Sequence, residues 1–150
     1  MPSIRQIARL MEPICLYSGV HLSPLTTSVE HILPVSKLKT REARLDLHNM
    51  YSCDIGINLY RSNYKFVNGT EFDINHKRKT FVPPLLSRGV IARTCLYMQE
   101  TYNVDVCDVI DLDCYEQWLL LNVSSYEQRH SIFVKHFQNY KINDNFTIII

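Results

Sequence analysis

Apolar residues recur along this chain at helical spacing in four places and at strand spacing in few. Ile4, Ile7, Ala8 and Met11 share one face and Pro13 ends the run, which predicts a short amphipathic helix over residues 3–12. The clearest helical stripe is Val90, Ile91, Cys95, Met98 and Tyr102, introduced by Pro83-Pro84, and it predicts a buried helix from Arg88 to Tyr102. Asp111 or Asp113 is placed to cap a third helix running through Trp118 to Leu121. Ser124-Ser-Tyr-Glu127 has the form of a capping box and opens a fourth, carrying Ile132, Phe133, His136 and Phe137.

Strand signals are short. Thr27 to Leu33 is the best strand, rich in β-branched residues and flanked by Pro24 and Pro34. Residues 36–45 are basic and polar and read as a loop with at most a helical turn. From Asp46 to Asn63 no clean period emerges, although Ile57, Asn58, Tyr60 and Arg61 suit a short helix. Gly69, Asn75 and His76-Lys-Arg-Lys79 mark loop, with a hairpin expected around Phe66 to Phe72. Helices outnumber strands and no strand-helix alternation occurs, so the fold class expected is α+β, as one domain over residues 1–150.

Composition narrows the class. With 46% hydrophobic and 21% charged residues in 150, the chain has the make-up of a packed domain and not of a disordered or low-complexity segment. No stretch approaches the roughly 20 apolar residues of a membrane span, so no membrane partner is expected. Arg5, Arg9 and Glu12 break the apolar run that a signal peptide needs, and an intracellular location is expected. Five cysteines without a Cys-x-x-Cys pair support neither a disulfide framework nor a zinc ribbon; Cys95 is expected in the core. The net charge of +1 conceals an asymmetry: residues 1–100 hold 13 basic and 8 acidic side chains, and the remainder 3 and 7.

Three polar islands carry candidate chemistry: Glu30-His31, Asp46-Leu-His48-Asn49, and Asn58 with Arg61. Singly, each admits an ordinary reading as a structural histidine or a turn former. Together with their surroundings they form an ordered set: Val29-Glu-His-Ile-Leu-Pro34, Asp46-Leu-His-Asn-Met50, Ile57-Asn-Leu-Tyr-Arg-Ser-Asn63, Arg88-Gly-Val-Ile-Ala-Arg-Thr-Cys-Leu-Tyr-Met98 and Tyr126-Glu-Gln-Arg129. In order and spacing this set resembles the endonuclease I family, the periplasmic and secreted non-specific nucleases of the His-Me (ββα-metal) finger class, over about residues 28–146.

The resemblance implies a small ββα-metal finger core surrounded by several α-helices, and a metal-dependent endonuclease that hydrolyses DNA, or RNA, with little sequence preference and leaves 5′-phosphate ends. His31 would be the general base that activates water, which requires a neutral imidazole. Glu30 and Asn58 would hold one divalent cation, Mg²⁺ or another such as Mn²⁺ or Ca²⁺, since a hard cation prefers oxygen donors. Arg61 and Arg93 are candidates to contact the phosphate with a bidentate guanidinium. For Arg93 the competing expectation is an ion pair with an acid, and for Arg61 an exposed side chain. Asp46 and His48 are assigned to support the catalytic groups, with turn chemistry as the alternative.

Two departures from the family pattern bear on these roles. The stretch Ile32 to Leu45 is short and free of cysteine, so that Lys37, Lys39, Arg41 or Arg44 would supply nucleic-acid contacts. The closing motif is reduced to Gln138-Asn139 and Asn143-Asp-Asn-Phe146. These features suggest a compact version of the kind a virus or mobile element carries into a host cell. They also motivate an alternative, a nuclease-derived binding module with weakened catalysis. A site-specific nuclease of the same class would need a DNA-reading module, and none is evident. One geometric constraint stands over all of these: neighbours on a regular strand face opposite ways, so Glu30 and His31 reach one point only if the strand bends or ends there.

Overall fold

The chain begins with α1 (Ile4–Ala8), opened by a capping box in which Ser3 and Gln6 satisfy each other's backbone amides. β1 (Thr27–His31) follows a loop, and the basic stretch after it folds as a 3-10 turn over Val35–Lys37 and the one-turn helix α2 (Arg41–Arg44). A second 3-10 turn, Leu47–Asn49, leads into β2 (Met50–Asp54), which pairs antiparallel with β1 from Thr27 opposite Asp54 to His31 opposite Met50. Asp54 caps α3 (Ile55–Arg61) through its side chain, so strand, strand and helix form one ββα unit. The computed structural model describes residues 3–143, with side chains through residue 137; the Gln138-Asn139 side chains and residues 144–146 of the reduced closing motif lie outside this range.

A second small sheet holds β3 (Lys65–Phe66), β4 (Asp73–Asn75) and β5 (Thr80–Val82) in the order β3-β5-β4. The hairpin expected around Phe66 to Phe72 therefore falls later in the chain: β4 and β5 make the antiparallel pair, and β3 runs parallel to β5. Residues 76–79 form its turn, where Lys79 adopts a positive φ of 57°. α4 (Leu85–Tyr102) ends at Asn103 in the left-handed conformation that asparagine tolerates. α5 (Leu112–Leu119) and α6 (Ser125–Asn143) complete an α+β fold.

The main core lies between the ββα unit and the helices. Ile32, Leu33, Tyr51, Phe66, Phe81, Ile91, Cys95, Met98 and Trp118 are buried together in it. A smaller cluster on the other side of the hairpin joins Ile4 and Ile7 of α1 to Leu47, Met50 and Val134. Among the described residues no helix is long and apolar enough to cross a membrane.

Two arginines expected at phosphate contacts serve the fold instead. Arg61 is wholly buried, its side chain inside the core between α3 and the end of β1. It donates to the carbonyls of His31 (2.9 Å), Ile32 (2.9 Å) and Tyr64 (3.1 Å), contacts Glu30 Oε2 at 3.3 Å, and lies 4.2 Å from the centre of the Phe66 ring. A guanidinium so engaged has no face left for a substrate. Arg93 meets Glu127 in a bidentate pair (2.7 and 2.8 Å) and donates to the carbonyls of Leu119 and Leu121, where α5 ends. The ion-pair alternative is thus the one realised. Glu127 gives its carboxylate to Arg93, while Ser124 Oγ accepts from the Glu127 amide to cap α6.

Arg61→Ala should cost about 3–5 kcal/mol in urea unfolding, because it strands the buried Glu30 carboxylate and removes the donors to three carbonyls. An unchanged midpoint would return Arg61 to the surface role. Gly89 tests the second arginine: a Cβ there would stand 2.3 Å from Arg93 Nη2. Gly89→Ala should therefore push the guanidinium off Glu127 and lower stability by about 2 kcal/mol, readable in the same assay.

Candidate active site

The alternation of β1 decides which residues can act together. Val29 and His31 lie on the side of the hairpin that faces α1, where Met50 and Ser52 of β2 are their partners. Glu30 faces the other way, into the core, and is only 2% exposed. Its Oε2 accepts a hydrogen bond from the Tyr17 hydroxyl (2.6 Å) in addition to the Arg61 contact. Burial pushes the Glu30 carboxyl up, and Arg61, Tyr17 and the His31 amide oppose that shift. The pair adjacent in sequence is therefore divided between two faces.

His31 stands in a groove of about 1450 Å³ bounded by α1, the hairpin and α2. Burial holds its pKa below the usual 6.5, and the positive charges of Arg61 and Arg5 act in the same direction. That shift favours the neutral imidazole, the state a proton acceptor needs. Around it the charged lining is entirely arginine: Arg5, Arg9, Arg41 and Arg44, with no carboxylate among the described residues. The floor is apolar, with Val29, Leu45 and Met50.

The backbone beyond His31 is held from both sides. Arg61 grips the carbonyls of His31 and Ile32. Asn49, fully buried, receives a hydrogen bond from the Leu33 amide at Oδ1 (2.8 Å) and donates from Nδ2 to the Leu33 carbonyl (2.9 Å). Asn49 had no assigned role in the sequence. Its only signal was its place beside His48 in the second polar island.

The expected supporting pair sits elsewhere. Asp46 accepts from the Tyr97 and Tyr102 hydroxyls of α4, and His48 Nδ1 lies 2.7 Å from Asp46 Oδ1 with its ring stacked on Tyr97 at 3.9 Å. Burial alone would raise the Asp46 carboxyl, but the bonds from His48 and Tyr102 outweigh it and hold the group below the usual carboxylate range. This cluster fastens the turn before β2 to α4; it makes no hydrogen bond to Glu30, His31 or Asn58 among the described residues.

Of the four expected nucleic-acid contacts, Arg41 and Arg44 line the groove, while Lys37 and Lys39 do not. Lys37 lies 3.9 Å from Asp108 instead. Arg5 and Arg9 enter the groove from α1, a segment read in sequence only as an amphipathic helix. Their spacing of four residues put both on one helical face, which was the available signal.

Oxygen donors for a divalent cation are only half in place. Asn58 donates through Nδ2 to Ser28 Oγ (2.9 Å) and to the Val29 carbonyl (3.1 Å), so its own carbonyl oxygen is uncommitted among the described residues. Glu30 does not fit: Mg²⁺ keeps several of its waters, and this carboxylate is sealed in the core beside a fixed guanidinium charge. Among the described residues no group of three or more His, Cys, Asp or Glu side chains is placed to hold a metal ion.

Comparison with known proteins bears on the whole arrangement. Residues 23–144 match the family model described as Endonuclease I, leaving α1 outside the matched span. Endonuclease-1 of Buchnera aphidicola subsp. Acyrthosiphon pisum (strain APS) is 36% identical over 75 residues, covering 44% of this chain and 30% of the relative. The chain thus aligns with about a third of that protein's length. With the Glu-His strand, the ββα unit and most of the chain inside the matched span, this protein belongs to the endonuclease I family.

Proposed function

We propose that this protein is an endonuclease that hydrolyses phosphodiester bonds of nucleic acid in the arginine-lined groove, with His31 as the general base. The observation that carries this reading is His31 set in a groove whose charged lining, among the described residues, is exclusively cationic, a setting that with burial favours the neutral imidazole. A polyanion is drawn to such a groove, and an unprotonated imidazole beside its phosphate can take a proton from the attacking water. Arg41 and Arg44 would hold the phosphates, since guanidinium groups meet two oxygens at once. DNA with little sequence preference is the proposed substrate and 5′-phosphate ends the proposed product, both on the family likeness. The chain is proposed to act inside a cell.

The family likeness also supports a requirement for magnesium or another divalent cation. Asn58 is the oxygen donor available to take part, and Glu30 as folded is not. That mismatch favours a specific second reading, a binding module that keeps the groove while cation-assisted cleavage is weak.

Plasmid digestion separates the two. The purified protein should nick plasmid with magnesium and lose the activity in chelator, and His31→Ala should lower the rate by about 10²–10⁴-fold. If wild type and His31→Ala leave the plasmid equally intact with every divalent cation tried, the binding module stands.

The pH profile gives an independent check. Because burial and two neighbouring guanidinium charges lower the His31 pKa, the base stays deprotonated further into acid. The acid limb of kcat/KM should fall below pH 6.5, and a limb above that value would exclude His31 as the base.

A further inference from the structure

α1 carries the two groove arginines that the family match does not reach, since the matched span begins at residue 23. The helix is firmly seated despite its five residues. Ile4 and Ile7 are buried against Leu47, Met50 and Val134, and the Ser3–Gln6 box closes its first turn. Arg5 and Arg9 are exposed and line the groove together with Arg41 and Arg44 of α2. Arg61, Arg93 and Arg129 each meet a carboxylate and Arg88 donates to two carbonyls and the Asn68 side chain, whereas the Arg5 and Arg9 guanidinium groups have no ion-pair or hydrogen-bond partner among the described residues.

Two exposed guanidinium groups four residues apart on one face, beside a histidine and in a groove with no acid in its described lining, repel each other weakly through water, and a bound anion relieves that repulsion. Arg41 and Arg44 of α2 add two further guanidinium groups to the same lining. From this juxtaposition we infer that α1 is a substrate clamp: Arg5 and Arg9 bind backbone phosphates of the nucleic acid strand that lies over His31. The inference rests on the nuclease reading above and adds to it a binding element from outside the matched span. Both residues grip the strand and neither takes part in proton transfer.

The test separates binding from cleavage. In a His31→Ala background with chelator, a fluorescein-labelled duplex oligonucleotide is titrated over a range of salt concentrations, and the same measurement is made with Arg5→Gln/Arg9→Gln added. Removing two phosphate contacts should weaken binding about tenfold at low salt and reduce the slope of log K against log salt by about 1.8. Arg5→Lys/Arg9→Lys should restore most of both, and melting temperature should stay constant because both positions are on the solvent face of α1. If the double Gln variant melts early, the single charge reversal Arg9→Glu, compared with Arg9→Lys, decides in its place.

In otherwise wild-type protein that cleaves plasmid, the double Gln variant should raise KM with kcat nearly unchanged. Equal affinity and equal salt slope in the presence and absence of the two arginines would overturn the clamp while leaving the nuclease reading intact. If the His31→Ala protein binds no oligonucleotide at any salt, the clamp falls together with the nucleic-acid substrate. Cleavage that is lost in His31→Ala but indifferent to Arg5 and Arg9 sinks the clamp alone.

Discussion

A guanidinium buried without solvent is tolerable only where its hydrogen bonds and its charge are both answered, and Arg61 meets that condition at the junction of the ββα unit. It answers the Glu30 carboxylate with charge and the carbonyls of His31, Ile32 and Tyr64 with its planar fork. The consequence is geometric. The end of β1 cannot rotate without breaking bonds that no water can replace, so His31 is held in the groove while Glu30 is held in the core. Buried ion pairs contribute little net stability compared with apolar packing, but they specify one arrangement over its neighbours. Asn49 completes this fixing from the β2 side by closing two bonds on Leu33.

The same restraint shapes the electrostatics. A fixed positive charge beneath the strand and Arg5 both disfavour an imidazolium, so the groups that define the histidine's position also favour its neutral form. Near-zero net charge and a strongly cationic groove coexist because acids such as Glu30 and Glu127 are taken up by structural arginines, Arg61 and Arg93, away from the groove. The described lining of the groove, by contrast, contains no acid. A grip of that kind is local and salt-sensitive, which suits a protein that must release what it has bound.

Much of the fold could be read from the pattern of residues. The helices over 3–12, 88–102 and 124–137 are strongly periodic or capped, and their counterparts α1, α4 and α6 lie where those signals put them. β1 is likewise where its β-branched run indicated. β2 was not readable, because Met50–Asp54 is buried on both faces and therefore shows no alternation. The hairpin of the second sheet was displaced because β3 contributes two residues only, too few for a period to register. For the site, His31 and Asn58 lie in the ββα unit as their motifs implied. Arg61, Arg93, Asp46 and His48 proved to be fasteners of the fold. An arginine that stitches carbonyls and one that awaits a phosphate look alike in sequence, since the difference resides wholly in what packs around them.

By itself the sequence determined the family and the helical framework, and it marked candidates for chemistry, because periodicity, capping and motif order are local properties of the chain. Only the tertiary structure decided which of those residues face a common space. Glu30 and His31, joined by one peptide bond, are parted by the pleat of β1. Arg5 and His31, separated by most of the N-terminal segment, are brought into one groove by the burial of Ile4 and Ile7 against the hairpin. The pleat is obligatory for an extended strand, and the packing of α1 follows from the removal of apolar surface from water. Neither outcome is visible until distant segments are in contact.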